Sequence, residues 1–155
     1  SKITPTCLIF SRQGTSAIGR TPEQISAIEM GGYLLKEKKD NDITIVASGS
    51  EVQLALDAAK ELENKSINAN VVSMPSLDIF LQQSSEFQKM VIDPNKPVLV
   101  VECAHPNSWY KILNRSDKVL GIETFGESAP GGELLEHFGF NKEKVIQAAK
   151  SLIDD

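Results

Sequence analysis

Ile43-Thr44-Ile45-Val46-Ala47-Ser48-Gly49-Ser50-Glu51-Val52-Gln53-Leu54-Ala55-Leu56-Asp57-Ala58-Ala59-Lys60-Glu61-Leu62 is the stretch that decides the fold. Its first five residues are mostly β-branched, which suits a pleated strand, and Ser48-Gly49 ends the run. The hydrophobic period then changes. Val52, Ala55, Leu56, Ala59 and Leu62 recur at helical spacing and share one face. Ser50 is placed to cap that helix, since its hydroxyl can accept from an orphan N–H of the first turn. Glu51 puts a negative charge where the helix dipole favours one. A strand turning straight into an amphipathic helix is the first half of a βαβ unit.

Working outward, the same alternation continues. Ala69-Asn70-Val71-Val72-Ser73 reads as the next strand, closed by Met74-Pro75. Pro97-Val98-Leu99-Val100-Val101 is continuously apolar, as expected when helices cover both faces of a sheet. Lys118-Val119-Leu120-Gly121-Ile122 is a shorter strand, and Thr6-Cys7-Leu8-Ile9-Phe10 reads as one near the start. A short helical segment fits between Leu77 and Met90. A helix over Glu133 to Phe138 stops at Gly139, and Asn141 caps a longer one in which Val145, Ala149 and Leu152 share a face with Ile146 and Ile153. Strands alternating with helices imply a mostly parallel sheet with right-handed crossovers, so the expected fold is α/β, a three-layer α/β/α sandwich. Residues 1–32 fit it poorly. One strand is followed by the turn-rich Gln13-Gly14-Thr15-Ser16 and Thr21-Pro22, which read as a lead-in and linker.

Composition bounds the function. The chain has 155 residues, 41% of them hydrophobic and 24% charged, the profile of a soluble globular domain rather than a disordered tail, a fibre or a disulfide-stapled scaffold. Sixteen basic against 21 acidic residues leave a net charge of −5. With no basic stripe, nucleic acid and anionic membrane are poor partners. The densest basic stretch, Lys36-Glu37-Lys38-Lys39, runs into Asp40 and Asp42 and reads as a solvated loop. Cys7 and Cys103 lie far apart inside apolar runs without a CxxC partner, which suggests buried free thiols in a reducing compartment. No apolar stretch approaches the ~18 residues of a membrane span, and no leader peptide is visible. The first methionine is Met30, so Ser1 is expected to be the start of a trimmed product or of a piece of a longer chain.

Few residues carry chemistry on type and spacing alone. No GxxxxGK[ST] or GxGxxG phosphate cradle is present. The Ser48-Gly49-Ser50-Glu51 turn admits an anion at its backbone N–H groups, but Glu51 opposes one, and plain capping is the favoured reading. His105 follows a strand, at the carboxyl edge where α/β sites gather, although a histidine before proline also serves as an ordinary loop residue. Cys103 is expected in the core and makes no nucleophile pair with His105. His137, in the last turn of a helix, needs no further role. Arg12 follows an apolar strand and admits two readings: a surface charge, or a guanidinium fork for a phosphate. Thr124-Phe125-Gly126-Glu127-Ser128-Ala129-Pro130 combines a buried-type aromatic with turn formers and a helix start.

Taken in order, Ser11-Arg12-Gln13, Gly31-Gly32-Tyr33, Ala47-Ser48-Gly49-Ser50-Glu51-Val52, Val71-Val72-Ser73-Met74-Pro75, Phe125-Gly126-Glu127-Ser128-Ala129-Pro130 and Phe138-Gly139-Phe140 resemble the C-terminal portion of transketolases over essentially the whole chain. The resemblance implies a third α/β domain over residues 33–155, with a mostly parallel five-stranded sheet carrying one antiparallel strand. Residues 1–32 would then be the end of the preceding pyrimidine-binding domain and the linker. It further implies a parent enzyme, cytoplasmic and homodimeric, that moves a two-carbon ketol unit between sugar phosphates. Such an enzyme uses thiamine diphosphate with a divalent metal (Mg or Ca), held by the other domains and not by this chain. Arg12 matches the arginine that binds the sugar phosphate. Phe10 stands where leucine is usual, and Gly131-Gly132 replaces bulkier residues; neither touches Arg12. The isolated chain is expected to be inactive. The alternatives are a related thiamine-dependent enzyme such as dihydroxyacetone synthase, or a non-catalytic regulatory or interaction domain.

Overall fold

Both faces of the central strands are apolar, and both are covered. In the computed structural model, which describes Pro5, residues 7–11 and residues 14–154, five strands form one sheet in the order β1-β3-β2-β4-β5. These are β1 (Tyr33–Lys36), β2 (Ile43–Ala47), β3 (Ala69–Ser73), β4 (Val98–Val101) and β5 (Lys118–Leu120). β2 pairs in parallel with β3 and β4, β4 pairs in parallel with β5, and β1 runs antiparallel to β3. The expected α/β sandwich with a mostly parallel five-stranded sheet is the one observed.

Alternate residues of each strand feed opposite cores. Ile43, Ile45, Ala47, Val71, Leu99 and Val101 face α2 (Glu51–Glu63) and α6 (Lys142–Asp154), where Ala55, Ala59, Leu62, Val145 and Ala149 meet them. Val46, Val72, Val98 and Val100 face Phe80 of α3 (Leu77–Phe80), Val91 of α4 (Ser85–Val91) and Trp109, which lies on a 3-10 helix over Pro106–Ile112. The chain leaves β2 for β3 over one face and returns from β3 to β4 over the other. Crossovers in opposite directions must lie on opposite faces if both are right-handed. α5 (Gly131–His137) precedes α6, and Gly139 breaks between them at φ +78°. Asn141 Oδ1 then accepts from Lys144 N at 3.0 Å, as a cap of α6 should.

Four expectations are corrected. Residues 7–10 form no strand; Leu8, Ile9 and Phe10 are 73%, 94% and 82% exposed. β-propensity reports a fit to a half-buried pleated surface, and no described strand offers that run a partner. Cys7 is therefore exposed instead of buried. The helical segment between Leu77 and Met90 is two helices, α3 and α4, because Ser76 and Ser84 each accept from a backbone N–H and start a new one. Lys36 belongs to β1 and pairs with Glu63, as does Lys38, so this stretch is tied to α2 and not left as a free loop. α1 (Pro22–Ala27) and the 3-10 turn Ile28–Met30 lead into β1.

Candidate functional site

Parallel pairing sends the carboxyl ends of β2, β3, β4 and β5 to one edge. Because the chain leaves β2 for one side of the sheet and then crosses to β4 on the other, a crevice opens between β2 and β4. That reversal point is where α/β folds bind ligands. Here the facing groups are acidic. Ser48 Oγ, after β2, donates to Glu102 Oε2, after β4, at 2.7 Å. Ser50 Oγ donates to Glu51 Oε1 at 2.6 Å, and Glu51 is only 7% exposed. The expected Ser50 side-chain cap is therefore absent. Ser50 already has helical backbone angles (φ −68°, ψ −27°), and its hydroxyl turns to the carboxylate beside it.

Burial at this edge disfavours charge on the groups it encloses. Burial pushes the Glu102 carboxyl above its ordinary value; the Ser48 hydrogen bond opposes the shift and the Glu51 charge adds to it. Cys103 is half-buried against the core. Burial pushes its thiol well above the ordinary range, and the Glu51 and Glu102 charges push the same way. A thiol so disposed is a poor nucleophile. His105 is exposed, and its Nδ1 accepts from Asn107 N at 3.3 Å, which makes it a cap of the 3-10 helix. His137 ends α5 with its ring edge-on to Phe138, centroids 4.9 Å apart. Phe125, expected to be a buried-type aromatic, is 96% exposed. Among the described residues, no group of three or more His, Cys, Asp or Glu is disposed to hold a metal ion.

Two concavities adjoin the edge, both of a size that takes small molecules. One, of about 370 Å³, is walled by Glu51, Glu102, Cys103, Leu134, Phe138 and Phe140 among others. The other, of about 450 Å³, lies between Thr15, Ser16 and Arg20 on one side and Gly49, Ser50 and Ser73 on the other. Arg12, the one site residue carried by the resemblance, lies outside the described residues. The chain that follows it, from Thr15 to Ile18, runs along this edge.

Arg20 and Gln24 escaped the sequence reading at this edge, and so did the contact made by Tyr33. Arg20 Nε donates to Tyr33 Oη at 2.6 Å, and Gln24 Nε2 donates to the carbonyls of Leu34 and Leu35, each at 3.0 Å. The one signal for them was Thr21-Pro22-Glu23-Gln24, a capping-box pattern that starts α1.

With the architecture in place, comparison with known proteins is specific. A family described as the transketolase-like TK C-terminal domain matches residues 31–141. The chain belongs to that family. Transketolase 2 of Vibrio parahaemolyticus is 39% identical over 154 residues, covering 98% of this chain. The chain spans 23% of that relative's length. The solved transketolase of Campylobacter jejuni superposes with a TM-score of 0.74 at 42% identity, over 80% of this chain and 19% of the other. A split-gene transketolase, described as an inactive β4 tetramer, superposes with a TM-score of 0.71 at 28% identity, over 92% of this chain and 48% of that one. The family that the motifs resemble is thus the one the chain belongs to.

Proposed function

We propose that this chain is the C-terminal part of a transketolase, a cytoplasmic, homodimeric, thiamine-diphosphate-dependent enzyme that transfers two-carbon ketol units between sugar phosphates. The observation that carries the reading is the family match over residues 31–141, together with a transketolase relative that is 39% identical over nearly the whole chain. Transketolase is favoured over a related thiamine enzyme because the relatives matched at this coverage bear that name. Residues 1–32 form the end of the preceding domain and the linker, and residues 33–155 form the third domain.

Arg12 binds the substrate phosphate. Its planar fork can make two charge-assisted hydrogen bonds to phosphate oxygens, and its charge persists at any physiological pH. Among the described residues no group of three or more His, Cys, Asp or Glu is disposed to hold the metal, and no step of the chemistry is assigned to this chain through the cofactor. Thiamine diphosphate supplies the carbanion chemistry when bound elsewhere in the enzyme. Burial holds the Cys103 thiol protonated at the carboxyl edge, so it offers no ready nucleophile. The isolated chain is accordingly inactive, and the inactive assembly described for the split-gene neighbour supports that reading. No helix among the described residues is long and apolar enough to cross a membrane.

The test is Arg12→Ala in the full-length polypeptide that contains this chain. KM for phosphorylated substrates should rise roughly tenfold or more, while kcat/KM for unphosphorylated substrates falls less than about threefold. Equal losses for both classes would overturn the phosphate role. Ketol transfer by the isolated chain would overturn its assignment as a dependent part.

A further inference from the structure

The start of α2 is left open. Ser50, expected to cap it, turns its hydroxyl to Glu51, and no side chain caps the helix. Glu51 N donates back to the Ser48 carbonyl at 3.1 Å. No described side chain serves the N–H groups of Val52 and Gln53, the next donors of the first turn. α2 is 13 residues long, so these donors carry the positive end of a full helix dipole. Val52 and Gln53 wall the concavity of about 450 Å³ that Thr15, Ser16 and Arg20 close from the other side.

Ser73 points to the same space independently. It ends β3 and is 6% exposed. Alternation along the strand puts its side chain on the face of Ala69 and Val71, toward α2, and it walls the same concavity. Among the described residues nothing is hydrogen-bonded to its hydroxyl, whereas enclosed polar groups are as a rule paired. A polar ligand in the concavity would satisfy it. At the rim, Arg20 spends Nε on Tyr33 Oη and one Nη on the Ile18 carbonyl; its remaining N–H donors have no described partner. Glu51 is the opposing charge, but its carboxylate lines the neighbouring concavity and accepts from Ser50 Oγ. It weakens an anion here without lining the space itself.

We propose that this concavity is an anion site, taking the phosphate group of a small ligand on the first-turn N–H groups of α2 and the Ser73 hydroxyl, with the Arg20 guanidinium at its rim. Backbone N–H groups, a hydroxyl and a guanidinium all donate, a set that suits an oxyanion and no cation. None of these groups has a part in the ketol transfer described above, so the site stands whether or not Arg12 binds substrate.

The experiment follows hydrogen–deuterium exchange by mass spectrometry in the full-length polypeptide that contains this chain, with inorganic phosphate as the probe and chloride at matched ionic strength as the control. Phosphate, titrated into the tens of millimolar, should slow exchange across residues 48–56 in a saturable way, and leave residues 142–154 unmoved. Ser73→Ala should raise the half-saturating concentration about tenfold, as the loss of a hydrogen bond to a charged group does. Arg20→Gln should raise it by a similar factor, and because Arg20 is exposed this variant decides the matter if Ser73→Ala fails to fold. No protection, or the same protection in chloride, would overturn the site. Protection that both variants leave unchanged would mean an adventitious ion only at the helix end, and would overturn it too. Should Arg12→Ala abolish the protection while Ser73→Ala does not, the effect belongs to the substrate phosphate and the proposal falls.

Discussion

Two glycines with positive φ separate conformational cost from crowding. Gly31 sits at φ +85° between the turn Ile28–Met30 and α3, with its carbonyl accepting from Ser76 N at 3.0 Å. A Cβ there would run into the Ser76 carbonyl oxygen and would stand 2.5 Å from Phe80 N, both backbone atoms that cannot step aside. Gly49 sits at φ +50°, and a Cβ added to it would meet nothing within 4 Å. Gly49→Ala should therefore cost only the left-handed penalty of about 1–2 kcal/mol, whereas Gly31→Ala adds a backbone clash and should cost roughly 3 kcal/mol or more. Urea unfolding of the chain measures both; equal costs would remove the crowding account. Glu102 makes a prediction of opposite character. Its carboxyl is raised in the folded state, by burial first and by the Glu51 charge in addition, so the folded chain holds a proton that the unfolded chain releases. Stability from this group is then present below the ordinary value of 4.5 and is lost as pH rises through the interval up to the folded value. Glu102→Gln, which still accepts from Ser48 Oγ, should flatten that fall and leave the variant relatively more stable at neutral pH. A difference between variant and parent that does not change between pH 4 and 7 would mean that Glu102 is not raised.

At the scale of elements, legibility followed burial. β2, α2, β3 and β4 could be read because both faces of the strands and one face of the helix are committed to the core, which stamps a period on the sequence. α6 could be read for the same reason: Val145, Ile146 and Ala149 are buried on one face. β1 carried no such stamp. It is a four-residue edge strand with only Tyr33 fully buried, and two of its carbonyls are satisfied by the Gln24 side chain, a contact that no period encodes. The 3-10 helix Pro106–Ile112 escaped because one anchor, Trp109, and one proline make no repeat. The opposite failure occurred at residues 7–10, where a strand-like composition lacks a described partner. The carboxyl edge divides along the same line. That the Ser48-Gly49-Ser50-Glu51 turn follows one strand and His105 another, at the carboxyl edge, followed from the alternation of strands and helices. That two serine hydroxyls would be spent on two carboxylates did not, because the pairing of Ser48 with Glu102 spans 54 residues.

For the whole molecule, the distribution of exposed apolar groups bears on how the chain behaves alone. Leu8, Ile9 and Phe10 are almost bare, and none of them belongs to either core. Phe125 is bare as well, on the loop before α5. Burying each such side chain is worth about 1.5–3 kcal/mol, against roughly 4–15 kcal/mol lost on association. The balance favours weak self-association, visible at tens to hundreds of micromolar and not below. Sedimentation of the isolated chain across that range should show a rising mean mass. Deleting residues 1–14 should lower the association while leaving the urea midpoint of the remaining domain nearly unchanged, since Ile18, which does pack on the core, is retained. A strictly monomeric intact chain at the highest concentration would refute the idea that these side chains await a partner surface. A large loss of stability on truncation would instead mean that the first fourteen residues belong to this fold.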